Sequence, residues 1–118
     1  PMQCEYYALE GLAALTETIQ RVAETANPSL HIAGILRTMF DPRNTLATDV
    51  SAELLTHFPD RVLETIIPRN IRLAEAPAHG MPVLLYDKAS RGAMSYLALA
   101  AELLRRRDTP RETATETA

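Results

Sequence analysis

Ile66-Ile67-Pro68-Arg69-Asn70-Ile71-Arg72-Leu73-Ala74-Glu75-Ala76-Pro77-Ala78-His79-Gly80 decides how this chain is read. An apolar, β-permissive run ends in a proline. A basic, amide-bearing loop follows, and then a short helix stopped by Pro77 and Gly80. In an α/β protein, such a junction at the carboxyl end of a strand is where ligands usually bind.

On either side, runs of period two and period 3.6 alternate. Leu12, Leu15, Ile19, Val22 and Ala26 recur at spacings of three and four and predict a helix over 6–26, stopped by Asn27-Pro28. His31 to Phe40 is apolar, with Gly34 inside it, and reads as a largely buried strand. Asp41-Pro42-Arg43-Asn44 has turn chemistry, and Leu46, Val50, Leu54 and Phe58 form a ladder that predicts a helix to about His57. Val62 to Ile67 is the next strand and Pro82 to Tyr86 a third. Ala93, Tyr96, Leu97, Ala100, Leu103 and Leu104 mark a last helix. Arg105-Arg106-Arg107 sits at its carboxyl end, where cations offset the helix dipole. Alternating strands and helices imply parallel β-α-β connections. Pro1-Met2-Gln3 reads as the end of a further strand, so the chain is expected to be a fragment or a truncated product. Residues 1–107 are expected to form part of one domain. Residues 108–118, all Thr, Glu, Ala, Pro, Asp and Arg, are expected to be a disordered polar tail.

The 118 residues are one domain's worth, and 47% hydrophobic with 23% charged residues is ordinary for a globular domain. The absence of tryptophan argues against a stacking platform for single-stranded nucleic acid. A net charge of −3 argues against nucleic-acid binding over the whole surface and leaves room for a local basic face. Cys4 is the only cysteine, so no internal disulfide forms and a reducing cytoplasm is the natural setting. With no histidine near it in sequence, it reads as a small buried apolar residue. His31, His57 and His79 are scattered, so no metal site is expected. The four glycines are isolated at positions 11, 34, 80 and 92, and the 118 residues contain no G-x-x-x-x-G-K-[ST] segment. No loop here cradles a triphosphate, and no catalytic residue is assigned.

The Pro68-Arg69-Asn70 corner suits a nucleotide base, which needs an apolar slot and a few polar groups aimed at its edge. Asn70 can donate and accept there, or it can cap the helix of residues 71–76. Arg43 and Arg72 each sit in or beside a loop at the carboxyl end of a predicted strand. Arginine's planar fork matches phosphate, although solvated surface arginines have the same sequence signature. Arg37, Arg69, Lys88 and Arg91 are candidates to enlarge that patch.

With Gln3-Cys4-Glu5-Tyr6-Tyr7-Ala8-Leu9-Glu10-Gly11 before it and Pro82-Val83-Leu84-Leu85-Tyr86-Asp87 after it, the opening stretch resembles the ParA/Soj-type chromosome-partitioning ATPases. The likeness runs from Pro1 to about Leu104. It implies a parallel-sheet, P-loop NTPase-like α/β fold of the deviant Walker (ParA/MinD) type, here a partial domain of three strands with flanking helices. It also implies that the loop at Pro68, Arg69 and Asn70 closes over adenine, assisted by Thr38 and Met39 beside Phe40. Arg43 in the "DPR" segment and Arg72 in "RNIRL" then bind DNA non-specifically. The region of Tyr6 and Tyr7 borders the nucleotide and the dimer contact; one ring is expected to pack and the other to face a partner, with plain packing of both as the alternative.

Complete proteins of this type bind ATP with Mg2+, form a homodimer in the ATP state and coat DNA. A ParB-type partition protein stimulates hydrolysis and releases them. They act in the cytoplasm on the nucleoid, in chromosome or plasmid partitioning. This stretch is expected to supply the adenine-side wall and the DNA-binding rim without the phosphate loop or magnesium ligands. Alone it is then inactive and binds no nucleotide tightly. The alternative is a non-catalytic interaction module that pairs with a full-length homologue through an open sheet edge. The sister MinD type ends in an amphipathic membrane helix. No apolar face can be drawn on Thr109–Ala118, so no membrane partner is expected.

Overall fold

Three parallel strands form the sheet, in a computed structural model that describes residues 1–109. β1 (Met2–Gln3) pairs with β2 (Ile35–Phe40), and β2 with β3 (Val62–Pro68), so spatial order follows chain order. The connections are α1 (Ala8–Thr25) and α2 (Thr45–His57). Right-handed crossovers in a sheet of that order place both helices on one face. Leu12 of α1 and Ala47, Val50 and Leu54 of α2 accordingly share one core with Cys4, Ile35 and Val62. Asn44 starts α2 by accepting the Ala47 N–H at 3.3 Å.

Beyond β3 come α3 (Ile71–Glu75), a 3-10 turn (Ala76–His79), α4 (Val83–Tyr86) and α5 (Arg91–Asp108). Gly80 closes the 3-10 turn in the left-handed region at φ 62°. Ser90 caps α5 by accepting the Ala93 N–H at 3.1 Å.

Two expectations change here. Pro82–Tyr86 is a helical turn, not a strand, and the third strand is the short β1. Pro82 stands at the N-cap with φ −67° and ψ 151°, and its carbonyl accepts the N–H groups of Leu85 and Tyr86 at 3.0 Å. Val83 alone is buried there and Leu85 is 77% exposed, so the run packs by one residue per turn. The last helix also runs one residue past the expected boundary, to Asp108. The remainder of the expected tail, 110–118, lies outside the described residues.

Of the apolar positions that mark α5, Ala93 alone is buried. Tyr96, Leu97, Leu103 and Leu104 are exposed, while Ser95, Leu99, Glu102 and Arg106 turn inward. Glu102 explains the rotation. Its two carboxylate oxygens accept the N–H groups of Glu64 and Thr65, each at 2.8 Å, where β3 slips out of register with β2. Arg106 binds the carbonyls of Asp60 and Val62 and lies 3.4 Å from Glu102. Satisfying an irregular strand's backbone groups outweighs burial of the apolar stripe. On the opposite side, Leu15 of α1 is 55% exposed and lines an open apolar groove of about 390 Å³ with Ala8, Leu12, Ile19, Ile32 and Ile35.

Candidate functional site

The carboxyl ends of the three strands lie side by side. Gln3 is in register with Thr38, and Phe40 with Pro68. The Arg69 N–H donates to the Phe40 carbonyl at 3.1 Å, and the Gln3 amide lies 2.7 Å from the Met39 sulfur. Thr38, Met39, Pro68, Arg69 and Asn70 are therefore brought together at one rim. Met39 has φ 48°, the left-handed region a methionine rarely adopts, where β2 gains a residue relative to β3 between Arg37 and Phe40. Strained backbone of this kind persists where the surrounding structure dictates it, commonly at ligand sites.

Asn70 caps α3. Its side-chain oxygen accepts the N–H groups of Arg72 at 3.1 Å and Leu73 at 3.3 Å. Both lone pairs of that oxygen are engaged, so toward a ligand Asn70 keeps only its N–H2 as a donor. Gly92 of α5 backs this corner. A Cβ there would lie 2.8 Å from Leu73 Cδ1 and 3.0 Å from Asn70 Oδ1, so only glycine lets α5 approach.

Arg43 lies on the β2–α2 loop with its side chain 89% exposed. Asp41 holds it through two bonds of 3.1 Å and also accepts its backbone N–H at 3.0 Å. The Arg43 hydrogen bonds keep the Asp41 carboxyl below its ordinary range. Arg72, on α3, has a side chain 52% exposed. It donates to Glu75 at 3.0 Å and lies 3.3 Å from Asp87. The Tyr86 hydroxyl, first, and Arg72, second, hold the Glu75 carboxyl below the usual range. Among the described residues, no cluster of three or more His, Cys, Asp or Glu is placed to hold a metal ion.

Arg37 does not join the rim. It is 6% exposed, donating to Ser51 Oγ and to the Leu63 carbonyl at 2.9 Å each, and burial lowers its pKa. Arg69, Lys88 and Arg91 are exposed. Tyr6 and Tyr7 do not pack into the core. Both are exposed and stack edge to face on each other, with centroids 4.9 Å apart. Cys4 is buried as expected, and burial pushes its thiol pKa up. Asp87, Tyr86 and Glu102 were not among the sequence candidates. Only Glu75, three residues from Arg72, had a visible signal.

A parallel sheet with a polar, locally strained rim at its strand ends is the kind of edge at which open α/β domains take ligands. The chain belongs to the CobQ/CobB/MinD/ParA nucleotide binding domain family, which residues 4–83 match. It is 53% identical over 111 residues to the chromosome partitioning protein ParA of Myxococcus xanthus, covering 94% of this chain and 39% of that protein. With the sporulation initiation inhibitor protein Soj of Bacillus subtilis it shares 52% over 103 residues, 87% of this chain and 41% of the relative. An uncharacterized protein of Pseudomonas putida is 62% identical over 117 residues, 99% and 44% of the two chains. The chain thus spans about two fifths of the length of these relatives. The resemblance to ParA/Soj proteins and the three-stranded α/β fold are both met. No helix among the described residues is long and apolar enough to cross a membrane.

Proposed function

We propose that these residues form the adenine-side wall and the DNA-facing rim of a ParA-family ATPase that partitions chromosomes or plasmids. The observation that carries the reading is the adjacency of the two clusters at the strand ends. Thr38 and Met39 meet Pro68, Arg69 and Asn70, and Arg43 and Arg72 follow the same two strand ends, on the β2–α2 loop and on α3.

Pro68 and Met39 supply apolar walls for a base, and the Asn70 N–H2 supplies a donor. Because the Asn70 oxygen is already engaged, it selects a ring-nitrogen acceptor on the purine. ATP and Mg2+ belong to the complete protein, whose phosphate-binding loop lies outside these residues. The complete protein acts as a homodimer in the cytoplasm, on non-specific nucleoid DNA, and with a ParB-type partner. The name of the Myxococcus relative, a chromosome partitioning protein, supports the partitioning part of this reading.

Salt titration of DNA binding by the complete ATPase tests it. Arg43→Ala or Arg72→Ala should each lower the slope of log affinity against log salt by about 0.9 per protomer, alike for all sequences. ATP binding should survive. If Arg72→Ala loses nucleotide as badly as DNA, the arginine is structural and the rim assignment fails.

A second reading, a non-catalytic module that pairs with a full-length homologue, draws on the open groove beside α1 and the exposed apolar face of α5. Partner-stimulated ATP hydrolysis by the complete polypeptide separates the two.

A further inference from the structure

Arg72 carries its own counter-charges. Glu75, at the end of α3, takes the Nη1 donor at 3.0 Å, and Asp87, at the C-cap of α4, lies 3.3 Å from Nε. An exposed pair three residues apart on a helix is weak and fluctuates. This pair is braced. The Tyr86 hydroxyl donates at 2.6 Å to the same Glu75 oxygen, and His79 stacks on the Tyr86 ring with centroids 4.8 Å apart. One cation therefore faces two anions drawn from two elements. Arg72 is nonetheless half exposed, with 52% of its side chain open to solvent. The guanidinium is reachable but masked. Asp41 treats Arg43 in the same way through its two bonds.

We propose that Glu75 and Asp87 are a built-in electrostatic mask on a phosphate-binding arginine, with Tyr86 the positioning residue that holds the mask in place. The proposal rests on the DNA-rim reading above and adds its regulation. A phosphodiester gains Arg72 only by competing with carboxylates already seated on it, so the rim binds DNA weakly and releases it readily. Removing a carboxylate charge about 6 Å from a bound phosphate in a water-like dielectric strengthens binding roughly threefold, and less as salt screens the pair.

The test uses the complete ATPase, random-sequence duplex DNA followed by anisotropy across a salt series, and one fixed nucleotide state. Glu75→Gln and Asp87→Asn preserve side-chain shape while deleting charge. Each should tighten binding about threefold per protomer at low salt, and the double variant about tenfold. Tyr86→Phe should fall between wild type and Glu75→Gln. In an Arg72→Ala background, where no guanidinium holds a phosphate about 6 Å from the carboxylates, the gains should shrink toward the weaker repulsion of more distant phosphates, a coupling that a merely structural role would not produce.

Unchanged or weaker DNA binding by both isosteric variants, with melting and nucleotide binding intact, overturns the mask. Gains that keep their full size without Arg72 overturn it as well. If Glu75→Gln melts early, Asp87→Asn makes the same test from the other element. Should Arg72→Ala alone leave DNA binding untouched, the rim reading falls together with the mask. A loss with Arg72→Ala but no gain with the carboxylate variants removes the mask alone.

Discussion

Deleting the carboxylate of Glu102 should strongly destabilise the domain. The residue is 4% exposed, and its two oxygens each accept a backbone N–H of β3 at 2.8 Å. A hydrogen bond to a charged group contributes about 1.5–3 kcal/mol, and the orphaned donors, covered by α5, are poorly placed to find water. Glu102→Ala should therefore cost about 3–5 kcal/mol. Glu102→Gln keeps one acceptor but turns an amide N–H2 toward the other donor, for about 2 kcal/mol. In the complete protein, thermal melts should fall about 2–4 °C for each kcal/mol. Burial pushes the Glu102 carboxyl up, but the bonds from Thr65 and Glu64, with Arg106 nearby, prevail and hold it below the ordinary range. A depressed folded value means the stabilisation is present above the unfolded carboxyl's pKa of about 4.3 and is lost as pH falls through the folded one. The gap between wild type and Glu102→Gln should be full at pH 7 and close on acidification below about pH 4. A Glu102→Ala variant within about 0.5 kcal/mol of wild type, or a gap that ignores pH, would refute the reasoning.

Two further outcomes are expected. Asn70→Asp retains an acceptor for the α3 N–H groups and loses the donor, so melting should hold while nucleotide affinity falls roughly tenfold. Wild-type nucleotide affinity in that variant would leave Asn70 as a helix cap alone. Cys4, buried with a raised pKa whose burial cause outweighs the pull of Arg37, should resist thiol reagents at pH 8 until denaturant is added. Fast labelling of the native protein would contradict its placement.

Spacing reported burial only in part, since Leu15 and Val22 of the α1 stripe and Leu46 of the α2 ladder are exposed. Val50 and Leu54 of the α2 ladder and Leu12 of the α1 stripe are core residues. It failed at Pro82–Tyr86, because four apolar residues carry no period that separates a strand from a helical turn, and proline precedes either. It also failed over α5 beyond Ala93, where a carboxylate and a guanidinium bound to strand backbone set the rotation. The carboxylate's partners, Glu64 and Thr65, lie 38 and 37 residues from Glu102. Arg37 looked like a rim residue because a charge in a strand has no sequence mark of its buried partners, Ser51 and Leu63. At the site, the strand-end loops were legible from Pro68, Asn70 and the turn at Asp41. The left-handed Met39 was not, since it follows from a register slip between two strands. Asp87, fifteen residues from Arg72, was equally invisible.

Asn70 and Arg72 are two residues apart, and one oxygen ties them. The Asn70 side-chain oxygen holds the backbone N–H of Arg72. Leu73, tied to the same oxygen, sits against Gly92 with no room for a methyl group, so the corner has little slack. A ligand that drags the Asn70 amide must therefore turn the first turn of α3, and Arg72 turns with it. On the reading proposed above, the base corner and the DNA rim are thereby the two ends of a single short lever, and no domain motion is needed to make one report on the other.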